Sequence, residues 1–327
     1  MSWVGAARAS AALLAGRPGL AAVGLAGFLA RGGLLLFALP FVVLPTVVGV
    51  GNWIGPTSIT ASGPSERLLW LIGALVGIGI AGLALGTVIG AFADLQLFGA
   101  AAGADAVRRG RPARPHRGSK ALLARLVLIR LLAIVPVSLA LAWSANRFGA
   151  AAYRELILPD ELVTPIVLRV LDRTRDAVAL VIGAWLLGEL IGGVAVRHLL
   201  RSGDPIPVAL LRPVGDLVRR PITTVVTFAL GAVLPLVLLA PPLAVTWLLF
   251  GVARFALAGG ELAWTLAATV LFVVAWGGSL AASAYVASWR SLLASFEVLR
   301  GQRTVAPAAI PAPVVSLDLA RDLPAEA

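Results

Sequence analysis

Six apolar runs decide the class of this chain: roughly Leu20 to Val50, Leu68 to Phe92, Leu126 to Trp143, Ala177 to Val196, Ile222 to Phe250 and Leu262 to Ser288. Each is long enough to cross a hydrocarbon core as a helix, which takes about 17–25 residues. Strands of a membrane barrel would alternate apolar with polar residues, and these runs do not. Only 13% of the residues are charged and 59% are hydrophobic, against about 25% charged in a soluble domain. The expected fold is all-α: a polytopic transmembrane helical bundle of six spans arranged as three helical hairpins (about 1–112, 113–203 and 204–302), with interfacial amphipathic helices. Residues 1–302 form a single transmembrane domain in this reading. Residues 303–327, with Pro, Ala and acids and little to build a core from, are expected to be a disordered cytoplasmic tail.

Two segments read as interfacial. Trp3 to Gly16 carries Arg8 among small apolar residues and ends at Arg17-Pro18; it is too interrupted for a signal peptide. Charges along Leu162 to Val178 recur at spacings that suit an amphipathic helix on the outer surface. The first span leaves two alternatives. Either one tilted helix runs from Gly19 to Pro45 with Arg31 in its middle, or Arg31 separates an interfacial helix from a span at Leu34 to Val50.

The chain has 27 basic and 16 acidic residues, a formal net charge of +11. With six spans, seven basic residues fall on one side: Arg67, Arg147, Arg154, Arg169, Arg173, Arg175 and Arg254. The other 20 gather at both termini and in the loops around 104–125 and 197–220. That side is cytoplasmic by the positive-inside rule, so both termini are inside. Orientation accounts for the basic excess and leaves no nucleic-acid surface. The run from Arg108 through Arg111 to Lys120 serves as a topogenic loop or touches anionic lipid headgroups. Lys120 is the only lysine, an arginine bias that fits a G+C-rich bacterial genome; the expected location is the bacterial cytoplasmic (plasma) membrane. Trp53, Trp70, Trp143, Trp247 and Trp264 fall near the predicted outer ends of spans, where amphipathic rings settle.

The three hairpins read as an internal repeat. Pro40, Pro136 and Pro235 lie 96 and 99 residues apart in similar apolar surroundings. Each removes a helical hydrogen bond and is expected to kink its span. The second helices carry small residues at four-residue spacing: Gly82, Gly86 and Gly90 in the second span, Gly188 and Gly192 in the fourth. These are expected helix-packing positions, within the chain or between two copies of it.

No HExxH, GxSxG or Walker A pattern occurs, so no catalytic residue, metal ligand or cofactor is assigned, and the chain contains no cysteine. Glu189 stands out instead. It lies eight residues before Arg197, about 12 Å into the span at 1.5 Å per residue. A lone carboxylate there costs at least about 2.5 kcal/mol unless protonated or paired. Arg130, at similar depth on the antiparallel third span, and Arg31 are its candidate partners. Two readings stand: a proton- or ion-coupled site or polar substrate contact, or a buried structural pair, with the pair favoured.

The six-span pattern, the start ending in Arg17-Pro18 and the prolines at Pro40 and Pro45 resemble uncharacterised bacterial six-helix integral membrane families, among them the membrane domain attached to some glycerophosphodiester phosphodiesterases. Those enzymes work in a separate soluble barrel, for which this chain has no room, so the resemblance implies a membrane scaffold and no catalytic residue. The functional classes that remain are a transport or permease-type component, a membrane-organising scaffold that binds partner proteins or lipids, and, last, an intramembrane enzyme. Substrate, protein partners and homo-oligomer state are left open.

Overall fold

A computed structural model describes residues 3–38, 41, 46, 48–49, 52, 59–60, 63–110, 120–219 and 221–300. The expectations for Pro40, Pro45, Trp53, most of the 108–120 loop and the 303–327 tail lie outside them. Among the described residues the chain is almost wholly helical: α1 (Trp3–Gly16), α2 (Gly19–Phe28), α3 (Leu34–Ala38), α4 (Glu66–Arg108), α5 (Lys120–Ile157), α6 (Ile166–Arg173), α7 (Arg175–Ser202), α8 (Ile206–Arg219), α9 (Pro221–Gly259) and α10 (Leu262–Arg300). A two-residue antiparallel pairing of Ile59–Thr60 with Gly63–Pro64 precedes α4. Six helical stretches are long and apolar enough to cross a membrane, the first being Gly19–Ala38.

The first apolar stretch is broken at Arg31, and the far ends of both expected alternatives lie outside the described residues. α2 ends at Phe28, and the five residues Leu29–Gly33 form a wider turn in which Arg31 (φ −94°, ψ 20°) and Gly32 (φ 105°, ψ −7°) leave helical geometry. Gly32 allows this because a positive φ costs a residue without Cβ nothing. The chain then resumes as α3. Arg31 therefore sits at an interruption inside the apolar stretch, with helix on both sides.

The 43 residues of α4 reach about 64 Å at 1.5 Å per residue, twice the depth of a hydrocarbon core. Its environment changes along its length. The described side chains from Leu69 to Leu85 are exposed, and burial starts at Gly86 and Thr87. Beyond that point α4 is the centre of two cores. Leu95 and Phe98 pack with Leu126 and Ile129 of α5, Val196 and Leu199 of α7, and Ala209 of α8. On its other side Leu97 and Ala101 pack with Ala6 and Leu14 of α1 and with Leu292, Leu293 and Phe296 of α10. A third, smaller core joins Ala253 and Ala256 of α9 to Ala268 and Phe272 of α10.

Helix α1 buries Ala6, Ser10 and Leu14, one per turn on one face, and Trp289 donates its indole N–H to the Ala7 carbonyl at 3.2 Å. The helix expected over Leu162 to Val178 is shorter than its charge pattern implies. α6 spans only Ile166–Arg173; Thr174 breaks it, and Arg175 already opens α7. Two buried or bridging charges explain the pattern. Glu155, 1% exposed at the end of α5, takes Arg169 at 3.0 Å and Arg173 as partners, so the charges face α5 as well as solvent. Pro136 lies inside α5, which continues unbroken past it, and Pro235 lies within the range of α9.

The glycine stripe separates into close and open positions. A Cβ on Gly86 would come 2.4 Å from the Ala30 carbonyl oxygen, one on Gly188 would come 2.2 Å from that of Ala133, and one on Gly192 would meet the Ala133 Cβ at 2.6 Å. Gly90 sits against Arg31, whereas a Cβ on Gly82 would have nothing within 4 Å. Because backbone cannot swing aside as a flexible side chain can, Gly86→Ala and Gly188→Ala are each expected to cost about 1–3 kcal/mol of unfolding free energy. Gly82→Ala should cost nothing, since alanine is the better helix former. Thermal unfolding of the three variants in lipid nanodiscs checks the difference; equal midpoints would contradict it.

Candidate functional site

The glycine face of α4 leads to a charge. Gly82, Gly86, Gly90 and Asp94 recur every four residues and so share one side of the helix. Without side chains at Gly86 and Gly90, the interrupted first span approaches α4 closely enough for Arg31 to fold across it. Arg31 donates from Nη2 to the Gly90 carbonyl at 3.1 Å and pairs with Asp94 Oδ1 at 2.6 Å. The same carboxylate accepts on Oδ2 from Arg130 of α5, Nη2 at 2.5 Å and Nε at 3.2 Å. Asp94 is 3% exposed and Arg130 8%, so both are removed from water and depend on each other.

Glu189 enters from α7. Its carboxylate lies 3.7 Å from Arg130 Nη1 and is 26% exposed. Gly188 and Gly192 allow that approach by letting α7 lie against Ala133, one turn of α5 from Arg130. The three candidates Glu189, Arg130 and Arg31 are thus brought together, but the carboxylate at the centre is Asp94. Glu189 holds the edge.

Two more arginines reach the cluster. Arg197 of α7 donates to the Gly193 carbonyl at 2.6 Å and to Ser291 Oγ of α10 at 3.3 Å. Arg290 of α10 directly precedes Ser291. Hydroxyls stitch the surroundings: Ser288 Oγ donates to the Leu20 carbonyl at 3.0 Å, and Thr246 and Ser279 share a hydrogen bond of 2.9 Å between α9 and α10.

Asp94, Arg197 and Arg290 were not among the candidates that apolarity and depth selected. Asp94 directly follows an apolar run, so it reads as the first residue outside, and Arg197 reads as a boundary marker. α7 in fact continues to Ser202. The signal that points to Asp94 is the four-residue register of the glycines above it. The chemistry of the assembly is electrostatic: it gathers guanidinium groups around two carboxylates.

Compared with protein-family models, curated proteins and solved structures, the chain finds no match in any of the three.

Asp94→Asn leaves two guanidinium groups facing a neutral amide. Removing one partner of a buried ion pair costs about 3–5 kcal/mol, so this variant should unfold at markedly lower temperature or fail to accumulate. Glu189→Gln breaks a longer, part-exposed contact and is expected to cost under about 1 kcal/mol. Unfolding midpoints of the two purified variants test the ranking, and the reverse order would contradict it.

Proposed function

We propose that the chain is a transport or permease-type component of the bacterial cytoplasmic membrane, with three hairpins, both termini inside, and α1 and α6 as interfacial helices. The positive-inside distribution supports the orientation, and the packing of α2 on α4, of α5 on α7 and of α9 on α10 supports the hairpins. Kinship to the bacterial six-helix membrane families belongs to the same proposal and brings a scaffold without catalytic residues.

One observation carries the transport reading: an interrupted span places Arg31 on a buried carboxylate that is also bound by a second hairpin. Interrupted helices with ionisable groups near them are how transporters build binding sites in apolar surroundings, because irregular backbone is tolerated where it lines such a site. Ionisable residues inside spans mark substrate or ion paths by default. The alternative, a membrane-organising scaffold, draws on the exposed apolar face of α4 and reads the same network as a structural tie.

Water decides between them. With no native cysteine, Glu189→Cys introduces a single thiol at the edge of the network. A transport site exposes it to a charged, membrane-impermeant thiol reagent added from the cytoplasmic side of inverted vesicles. A rigid scaffold leaves it unlabelled while a cysteine in the 111–119 loop reacts fully. Absence of labelling at residue 189 under those conditions rejects the transport reading.

A further inference from the structure

The network is short of negative charge. Arg31 of the first span and Arg130 of α5 are paired with Asp94 and Glu189, and Arg197 of α7 reaches Ser291, the residue after Arg290 on α10. Asp94 is taken up by Arg31 and Arg130, and Glu189 lies nearest Arg130. Among the described residues neither Arg197 nor Arg290 forms an ion pair. Arg197 is bonded only to neutral oxygens, those of Gly193 and Ser291, and its buried Nε has no hydrogen-bond partner.

A guanidinium does not shed its proton to escape burial. Cations gathered in apolar surroundings without counter-charge are costly, which leaves an anion from outside the chain as the means of neutralisation. Arginine forks fit the oxygens of a phosphate better than a point charge does.

The depth also suits a phosphate. Leu262 to Trp289 of α10 holds no charged residue, so Arg290 is the first charge reached from the outer side. Basic pockets between helices at that level are where anionic headgroups lodge.

We propose that Arg197 and Arg290, with Arg130 behind them, form a binding site for a phosphate-bearing anion at the inner end of the spans. The proposal rests on the network being a binding centre, and it adds the chemical class of the ligand. A phospholipid headgroup and soluble phosphate present the same oxygens, so the test separates the two sources.

The full chain is placed in nanodiscs of phosphatidylglycerol and phosphatidylcholine, and lipid retained on release is read by native mass spectrometry. In nanodiscs of phosphatidylcholine alone, inorganic phosphate is titrated by calorimetry. Retention of one phosphatidylglycerol, reduced about tenfold or more in the double variant Arg197→Gln with Arg290→Gln, supports the site with a lipid ligand. Saturable phosphate binding lost in that variant supports it with a soluble one. Binding of neither probe, or binding indifferent to both substitutions, overturns it.

Should the double variant fail to fold, the unaltered chain still answers. Phenylglyoxal modification of Arg197 and Arg290, followed by peptide mass spectrometry, should slow several-fold in the presence of the bound probe; equal rates with and without both probes overturn the proposal. A thiol at residue 189 that labels freely while neither anion binds removes this site and leaves the transport reading standing.

Discussion

Asp94 is the point on which the end of the bundle around Arg31 and Arg130 depends. Its carboxylate takes Arg31 from the interrupted first span and Arg130 from α5, so one group ties α4 to two helices that are far apart in sequence. In water such a bond would contribute little. Here Asp94 and Arg130 are buried among apolar helices, where a lost partner leaves a charge that solvent does not replace, while Arg31 reaches in from a part-exposed position. The interaction works less by adding stability than by making one arrangement of these helices far less costly than any other.

That arrangement needs contact at backbone distance, and the glycines supply it. Gly86 meets the Ala30 carbonyl just before the chain turns at Arg31, and Gly188 meets the Ala133 carbonyl one turn from Arg130. Below the network the side chains become conventional: Leu95, Phe98, Leu126, Ile129 and Leu199 close a core of the kind found in soluble bundles. On the other side the described side chains of α4 from Leu69 to Leu85 are exposed and apolar. An exposed apolar stretch of that length on α4 is compatible with a membrane-spanning helix.

The spans were legible because hydropathy is a local property: each needs only its own run of residues to announce it. The pairing of Glu189 with Arg130 was legible too, since depth along two antiparallel helices follows from counting residues to the nearest charge. Asp94 escaped that logic. A carboxylate after Phe92 looks like the end of a span, and only the continuation of α4 to Arg108 turns it inward. The interruption at Arg31–Gly32 was invisible for a similar reason. Two adjacent glycines permit a break without requiring one, and what fixes it is the pull of Arg31 toward a carboxylate more than sixty residues away. The helix expected over Leu162 to Val178 was overdrawn because two of its five charges, Arg169 and Arg173, pair with Glu155.

Transport, scaffolding and anion binding all start from the same tie, so its energy is the quantity to know. A double-mutant cycle on Asp94→Asn and Arg130→Gln, read as unfolding free energies in nanodiscs, isolates it. If the two groups act as one unit, the double variant is hardly worse than the worse single one, with a coupling energy of about 1–3 kcal/mol. Costs that simply add, within about 0.5 kcal/mol, would mean that the carboxylate and the guanidinium stabilise the protein independently, and the account built on Asp94 would be wrong.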